Sequence, residues 1–111
     1  MKLPIIIRQH FNGLTDLCER FGVQKLYAFG SVLTDRFDKK TSDLDLMVFM
    51  QPMPPIERGE NLMALWDALE QLFGRKVDLL TDQPIKNPYL RKSVESTKQL
   101  IYDRASEKVP V

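Results

Sequence analysis

Of their respective types, the 111 residues contain one cysteine, one histidine and one tryptophan. Each scarcity closes off a class of function. Cys18 has no second cysteine with which to form an internal disulfide, and with a single histidine beside it a zinc cluster is excluded. No apolar run approaches the twenty residues needed to cross a bilayer, so no transmembrane helix is expected and no membrane partner. The opening Met1–Arg8 carries only a short apolar stretch and no small-residue cleavage site, which argues against a signal peptide, so a cytoplasmic location is expected. Charge of one sign is lacking too. Sixteen basic residues against fifteen acidic leave a net +1, which gives no basic track for non-specific nucleic-acid binding. There is no G-x-x-x-x-G-K-[ST] loop, which argues against a P-loop NTPase. No repeat, low-complexity tract or linker divides the chain, and with 43% hydrophobic residues it is expected to form a single domain over residues 1–111 with a modest core.

What is present is a set of acids where acids are costly. Read as a strand, 42–50 alternates, so Asp43 and Asp45 point from one face while Leu44, Leu46, Val48 and Met50 point from the other. Two residues of strand separate the two Cα atoms by roughly 6.6 Å, and carboxylates at that spacing can converge on two magnesium ions about 3.5–4 Å apart. Aspartate is among the poorest strand formers. Lys76-Val77-Asp78-Leu79-Leu80 repeats the oddity, with one acid inside a short apolar run that reads as a buried strand. Three acids on neighbouring strands repel one another unless a cation lies between them. Gly30-Ser31 ends the apolar run Leu26–Phe29 with a tight turn able to grip phosphate. Singly, a D-x-D pair is usually the polar side of an edge strand and Gly-Ser is usually a turn. The combination of phosphate grip and carboxylate metal site is the equipment for phosphoryl or nucleotidyl transfer.

The remaining elements follow from periodicity and punctuation. Pro4 to Phe21 reads as a helix with Ile7, His10, Leu14, Leu17 and Phe21 on one stripe, weakened at Gly13 and ended at Gly22. His10 on that stripe reads as a partly buried packing residue rather than a catalytic base. Gln24 to Phe29 is a strand, and Ser31 to Arg36 a short helix whose N-terminus at Gly30-Ser31 offers backbone N–H groups to an anion. The charged loop 35–42 is either a solvated turn or a supplier of triphosphate contacts, with Arg36, Lys39 and Lys40 the candidates. Pro52, Pro54 and Pro55 break the chain after the second strand. Glu57 to Phe73 is then a helix with Leu62, Leu65, Trp66, Leu69 and Phe73 on a stripe, where Met63 and Trp66 read as core rather than as a base-stacking platform. Lys76 to Thr81 is the third strand. Asn87-Pro88 opens a last helix with Leu90, Val94, Thr97 and Ile101 on its inner stripe. The order is α-β-α-β-α-β-α, an α/β fold with a small mixed sheet packed by helices.

Gly30-Ser31, eleven residues, Asp43-x-Asp45 and a downstream strand acid at Asp78 together resemble the nucleotidyltransferase superfamily of DNA polymerase beta. More closely, the chain is similar to the stand-alone MNT domains, minimal nucleotidyltransferases, over nearly its whole length. Val77–Thr81, Lys86–Arg91 and Leu100–Tyr102 are similar to the ending of those domains. Many members carry Arg-Gly shortly after Gly-Ser, where Thr34-Asp35 stand here. The resemblance implies a polymerase beta-like fold, with Asp43, Asp45 and Asp78 as catalytic residues holding two magnesium ions (manganese substituting), and Gly30, Ser31, Arg36 and Ser42 binding a nucleoside triphosphate, ATP by expectation. It also implies a partner: MNT domains resemble antitoxins of HEPN-domain toxins, and some transfer AMP to a toxin tyrosine. A non-catalytic antitoxin that neutralises its partner by steric contact is the alternative. Transfer to a small molecule such as an aminoglycoside is a third reading, disfavoured because no substrate domain is present.

Overall fold

Alternation along residues 44–50 lays down the middle of the sheet. The computed structural model describes residues 3–33, 43–81 and 88–105. In chain order the elements are helices α1 (Ile5–Gln9) and α2 (Phe11–Arg20), strand β1 (Val23–Phe29), a 3-10 turn (Gly30–Leu33), strand β2 (Leu44–Met50), helix α3 (Pro55–Phe73), strand β3 (Val77–Thr81), helix α4 (Pro88–Thr97) and strand β4 (Gln99–Asp103). The four strands form one sheet in the order β3-β2-β1-β4. β1 is antiparallel to both β2 and β4, and β2 is parallel to β3, so the sheet is mixed as expected.

Leu44, Leu46 and Val48 leave β2 on one side and are fully buried, with Leu26 and Ala28 of β1 and Val77 of β3. Against them pack Leu14 of α2 and Leu65, Leu69 and Phe73 of α3, one continuous core between the sheet and the helices. Gly13 was read as a weak point of its helix, and the structure gives it a packing reason. A Cβ there would lie 2.8 Å from Leu72 Cδ1 of α3, so a side chain at this position would require Leu72 to shift.

Away from the Gly30 turn, three features depart from the sequence reading. The first helix is two helices, parted at His10, whose backbone turns out of the helical region at φ −114° and ψ 18°. Its ring Nδ1 lies 3.0 Å from the Ile6 carbonyl, and since a carbonyl only accepts, Nδ1 carries the proton and donates. The same ring meets Phe73 edge-on at 5.2 Å between centroids, so His10 is the packing residue it was read to be. Second, Met63 and Trp66 are not core: Met63 is 67% exposed and Trp66 37%. Trp66 is nevertheless anchored, because its indole N–H donates to the Val77 carbonyl at 2.6 Å.

The third departure adds a strand. Ile101 does not continue the stripe of the last helix, which ends at Thr97; it lies in β4, fully buried, with Tyr102 beside it. A five-residue segment with only Leu100, Ile101 and Tyr102 as its apolar centre has no period that separates a helix turn from a strand. Pairing with the open edge of β1 decides it, with Leu26 opposite Tyr102. Arg104 then pins the end of β4: Nη2 donates to the Cys18 and Glu19 carbonyls at 3.0 and 3.2 Å, and Nε to the Val23 carbonyl at 2.8 Å. The two Nη2 bonds satisfy carbonyls at the end of α2 that the helix itself cannot. Cys18 is buried here, and burial pushes its thiol up to about 12.

Among the described residues no helix is long and apolar enough to cross a membrane. Leu69, fully buried between α3 and the sheet, reports on the core directly. Leu69→Ala is expected to cost about 2–5 kcal/mol of unfolding free energy, measured by urea denaturation, because the helix cannot collapse onto the space left.

Candidate active site

The acids meet because β2 and β3 run parallel in register. Leu44 pairs with Val77, Asp45 with Asp78 and Leu46 with Leu79. Neighbouring strands lie about 4.8 Å apart, and cross-strand partners project from the same face. The leucines and valine flanking both acids are buried on the opposite face, and that burial holds Asp45 and Asp78 on the side away from the helical core. A slip of one residue would bury a carboxylate and expose a leucine. Asp43, half-buried, lies immediately before β2, two residues from Asp45.

Crowding has an electrostatic signature. The Asp45 carboxyl is pushed up to about 6 from an ordinary 3.8, chiefly by burial, then by the charge of Asp78, a hydrogen bond shared with Asp78, and the charge of Asp43. Two carboxylates held this close favour sharing a proton or taking a cation.

The glycine turn abuts the same carboxylate. Across the sheet Asp45 pairs with Phe29, the last residue of β1. Gly30 follows at φ +76°, a conformation that side chains disfavour, and a Cβ built on it would lie 2.5 Å from Asp45 Oδ2. Glycine is required twice over, by backbone angle and by space. Val32, buried, and Leu33 anchor the turn in the core. The Gly30-Ser31 turn and the acid pair are therefore contiguous. The expected helix from Ser31 to Arg36 is a 3-10 turn over Gly30–Leu33 as far as it is described. Ser31 lies within that turn. Arg36 and Ser42, with Thr34, Asp35, Lys39 and Lys40, lie outside the described residues.

The donor set is all oxygen, which suits a hard divalent cation such as magnesium, usually held by one or two carboxylates while substrate phosphates and waters complete its shell. Asp45 and Asp78 are the acids that the strand register brings together. Among the described residues no group of three histidine, cysteine or acidic side chains is tight enough to hold a metal by itself.

Beside the acids runs an apolar shelf that sequence reasoning did not assemble. Phe29 and Met47 are buried there, with Tyr27, Phe49 and Leu80 packed on them. Tyr27 and Phe49 meet edge-on at 5.7 Å. Lys98 sets its ammonium 4.8 Å over the Tyr27 ring on this same face. The alternation Tyr27–Phe29 was a usable signal for the shelf. Lys98 had none, because the segment following it was read as helix.

Known proteins bear on this geometry. A sequence profile of the nucleotidyltransferase domain family matches residues 12–101. The chain is 36% identical over 98 residues to a Methanocaldococcus jannaschii protein provisionally named a protein adenylyltransferase, covering 87% of this chain and 90% of that one. It superposes on a structure provisionally described as a minimal nucleotidyltransferase with a TM-score of 0.65 at 28% identity, covering 89% of this chain and 95% of that one. It shares the fold of a chain in a toxin–antitoxin structure with AMP-PNP, at a TM-score of 0.61 and 21% identity, covering 86% of this chain and 76% of that one.

The raised Asp45 carboxyl carries a stability consequence. Unfolded, the group loses its proton near pH 3.8; folded, it keeps the proton to about 6. The folded state binds the proton more tightly, so this group's stabilising contribution is full below pH 3.8 and is lost as pH rises through 6. Asp45→Asn, which fixes a neutral isostere, is expected to raise the melting temperature of the metal-free protein by a few degrees at pH 8 and to leave it unchanged at pH 3.5. Thermal melts followed by circular dichroism at the two pH values check this, and an equal effect at both would contradict it.

Proposed function

The chain belongs to the nucleotidyltransferase domain family as a minimal nucleotidyltransferase, and from that premise we propose that it moves AMP from ATP to a tyrosine hydroxyl of a HEPN-type toxin partner in the cytoplasm, acting as an antitoxin. One observation carries the reading: Asp45 and Asp78 are in register on neighbouring strands, with Gly30 against the Asp45 carboxylate. The provisional name of the Methanocaldococcus relative supports AMP as the transferred group. The toxin–antitoxin structure with AMP-PNP supports the partner class, and the resemblance to MNT domains supports its HEPN identity.

In this reading Asp43, Asp45 and Asp78 would hold two magnesium ions, with manganese able to substitute. Bound there, such ions would supply neutralisation of phosphate charge and a lowered pKa for the attacking hydroxyl. Gly30 and Ser31 hold the β- and γ-phosphates through backbone N–H groups in the turn, and Arg36 and Ser42 add contacts from the loop. The tyrosine oxygen attacks the α-phosphorus as the bond to pyrophosphate breaks in line. Asp78 accepts the hydroxyl proton. Catalysis is then largely positioning and charge neutralisation, with no covalent enzyme intermediate.

The test is covalent. Incubated with ATP and magnesium, the partner is expected to gain the mass of one or more AMP groups while pyrophosphate appears, and Asp78→Ala is expected to lower the rate by a factor of at least about 100, the lower range for removing a general base. Mass spectrometry of the partner reads the outcome. An unmodified partner neutralised equally by wild type and Asp78→Ala would establish steric neutralisation instead.

A further inference from the structure

The sheet face serves the nucleotide, but the outer side of α3 has no occupant within the described chain. Ile56 is 79% exposed, Met63 67% and Trp66 37%. With Gly59 they fall at successive steps of three, four and three residues, one continuous stripe along the helix. Gly59 is telling. A Cβ built there meets nothing within 4 Å, so no intramolecular packing requires glycine in mid-helix, where it costs about 1 kcal/mol relative to alanine. It leaves bare backbone in the middle of the stripe, against which another element can come close. Trp66 is already immobilised by its hydrogen bond to the Val77 carbonyl, and Glu70 Oε2 accepts the Val77 N–H at 2.9 Å. An aromatic ring so fixed surrenders little freedom on docking. Met63, Trp66 and Val77, with the charged Asp67, Glu70 and Lys76, line a shallow recess of about 320 Å³.

Charge narrows the occupant. Glu60 and Asp67, both exposed, flank the stripe, with Asp67 lining the recess beside Val77. In all, α3 carries Glu57, Glu60, Asp67 and Glu70 against Arg58, four acids to one base in a chain whose net charge is +1. Among the described residues, Lys76 is the one basic side chain lining the recess. A second copy of this surface would set acid rows against each other, which opposes self-association.

We propose that the Ile56–Trp66 stripe of α3 is the docking face for the toxin partner, and that it receives an amphipathic helix with an apolar centre and a lysine- or arginine-rich border. This inference rests on the partner assigned under the proposed function. It separates two jobs on two surfaces: α3 holds the partner, and the acid-bearing sheet face modifies it. Large exposed apolar side chains ringed by charge have the composition of an interface centre with its polar rim.

Calorimetric titration of the HEPN-type toxin into the intact chain, without ATP, tests the docking face alone. Met63→Glu and the milder Ile56→Ser are at exposed positions and are expected to keep the wild-type melting curve and nucleotide binding, while weakening toxin binding about tenfold or more. Glu60→Lys is expected to weaken it less, with a reduced salt dependence. Toxin bound equally by wild type and all three variants would overturn the docking face and leave the enzymatic reading standing. A toxin that wild type does not bind at all would overturn both. A wild-type dimer abolished by Met63→Glu would give the stripe to a second copy and overturn the assignment to a toxin helix.

Discussion

Everything at the site depends on the in-register pairing of two parallel strands. Each acid is placed not by its own contacts but by the burial of its neighbours: Leu44 and Leu46 on β2, Val77 and Leu79 on β3. Apolar burial is worth about 25 cal/mol per Å², so several fully buried aliphatic side chains outweigh the repulsion between two carboxylates in a partly solvated cleft. The fold spends core stability to hold two like charges together. That arrangement is useful only if something positive completes it.

The surrounding structure makes the pairing hard to relieve. Gly30 places backbone where any side chain would strike Asp45, so one carboxylate is confined between the turn and Asp78. The outward groups of Val77 at the sheet edge are held by Trp66 and Glu70 from α3, which keeps β3 from shifting along β2. On the other side, β4 and Arg104 tie β1 to the end of α2. Positioning of this kind is what phosphoryl-type transfer asks of a protein, since the chemistry is mainly alignment and charge.

Much of this was legible in the sequence, for identifiable reasons. Period-two alternation is unambiguous when both faces are marked, and 43–50 marks one with aspartate and the other with aliphatic residues. The lone acid in Val77–Thr81 stood out for the same reason, and so did Gly30 at the end of an apolar run. What was missed lacked such contrast. β4 is short, and its Ile101 fits a helical stripe as well as a strand; only the open edge of β1, a non-local fact, selects between them. Met63 and Trp66 were read as core because hydrophobicity predicts burial one way only, and an exposed apolar stripe is invisible until the rest of the helix has been packed. The break at His10 depends on its bond to Ile6 and its contact with Phe73 from another helix.

The central claim is that the Asp45–Asp78 pair is a cation-and-nucleotide site, and the carboxyl groups can be asked directly. With aspartate labelled at the carboxyl carbon, the ¹³C shift of Asp45 is followed against pH, first in metal-free protein and then with magnesium and AMP-PNP. The account predicts a midpoint near 6 without metal, falling to or below the ordinary carboxylate range when ion and nucleotide bind, because a bound cation removes the penalty on the charged form. A midpoint that stays where it was in the presence of both would contradict it.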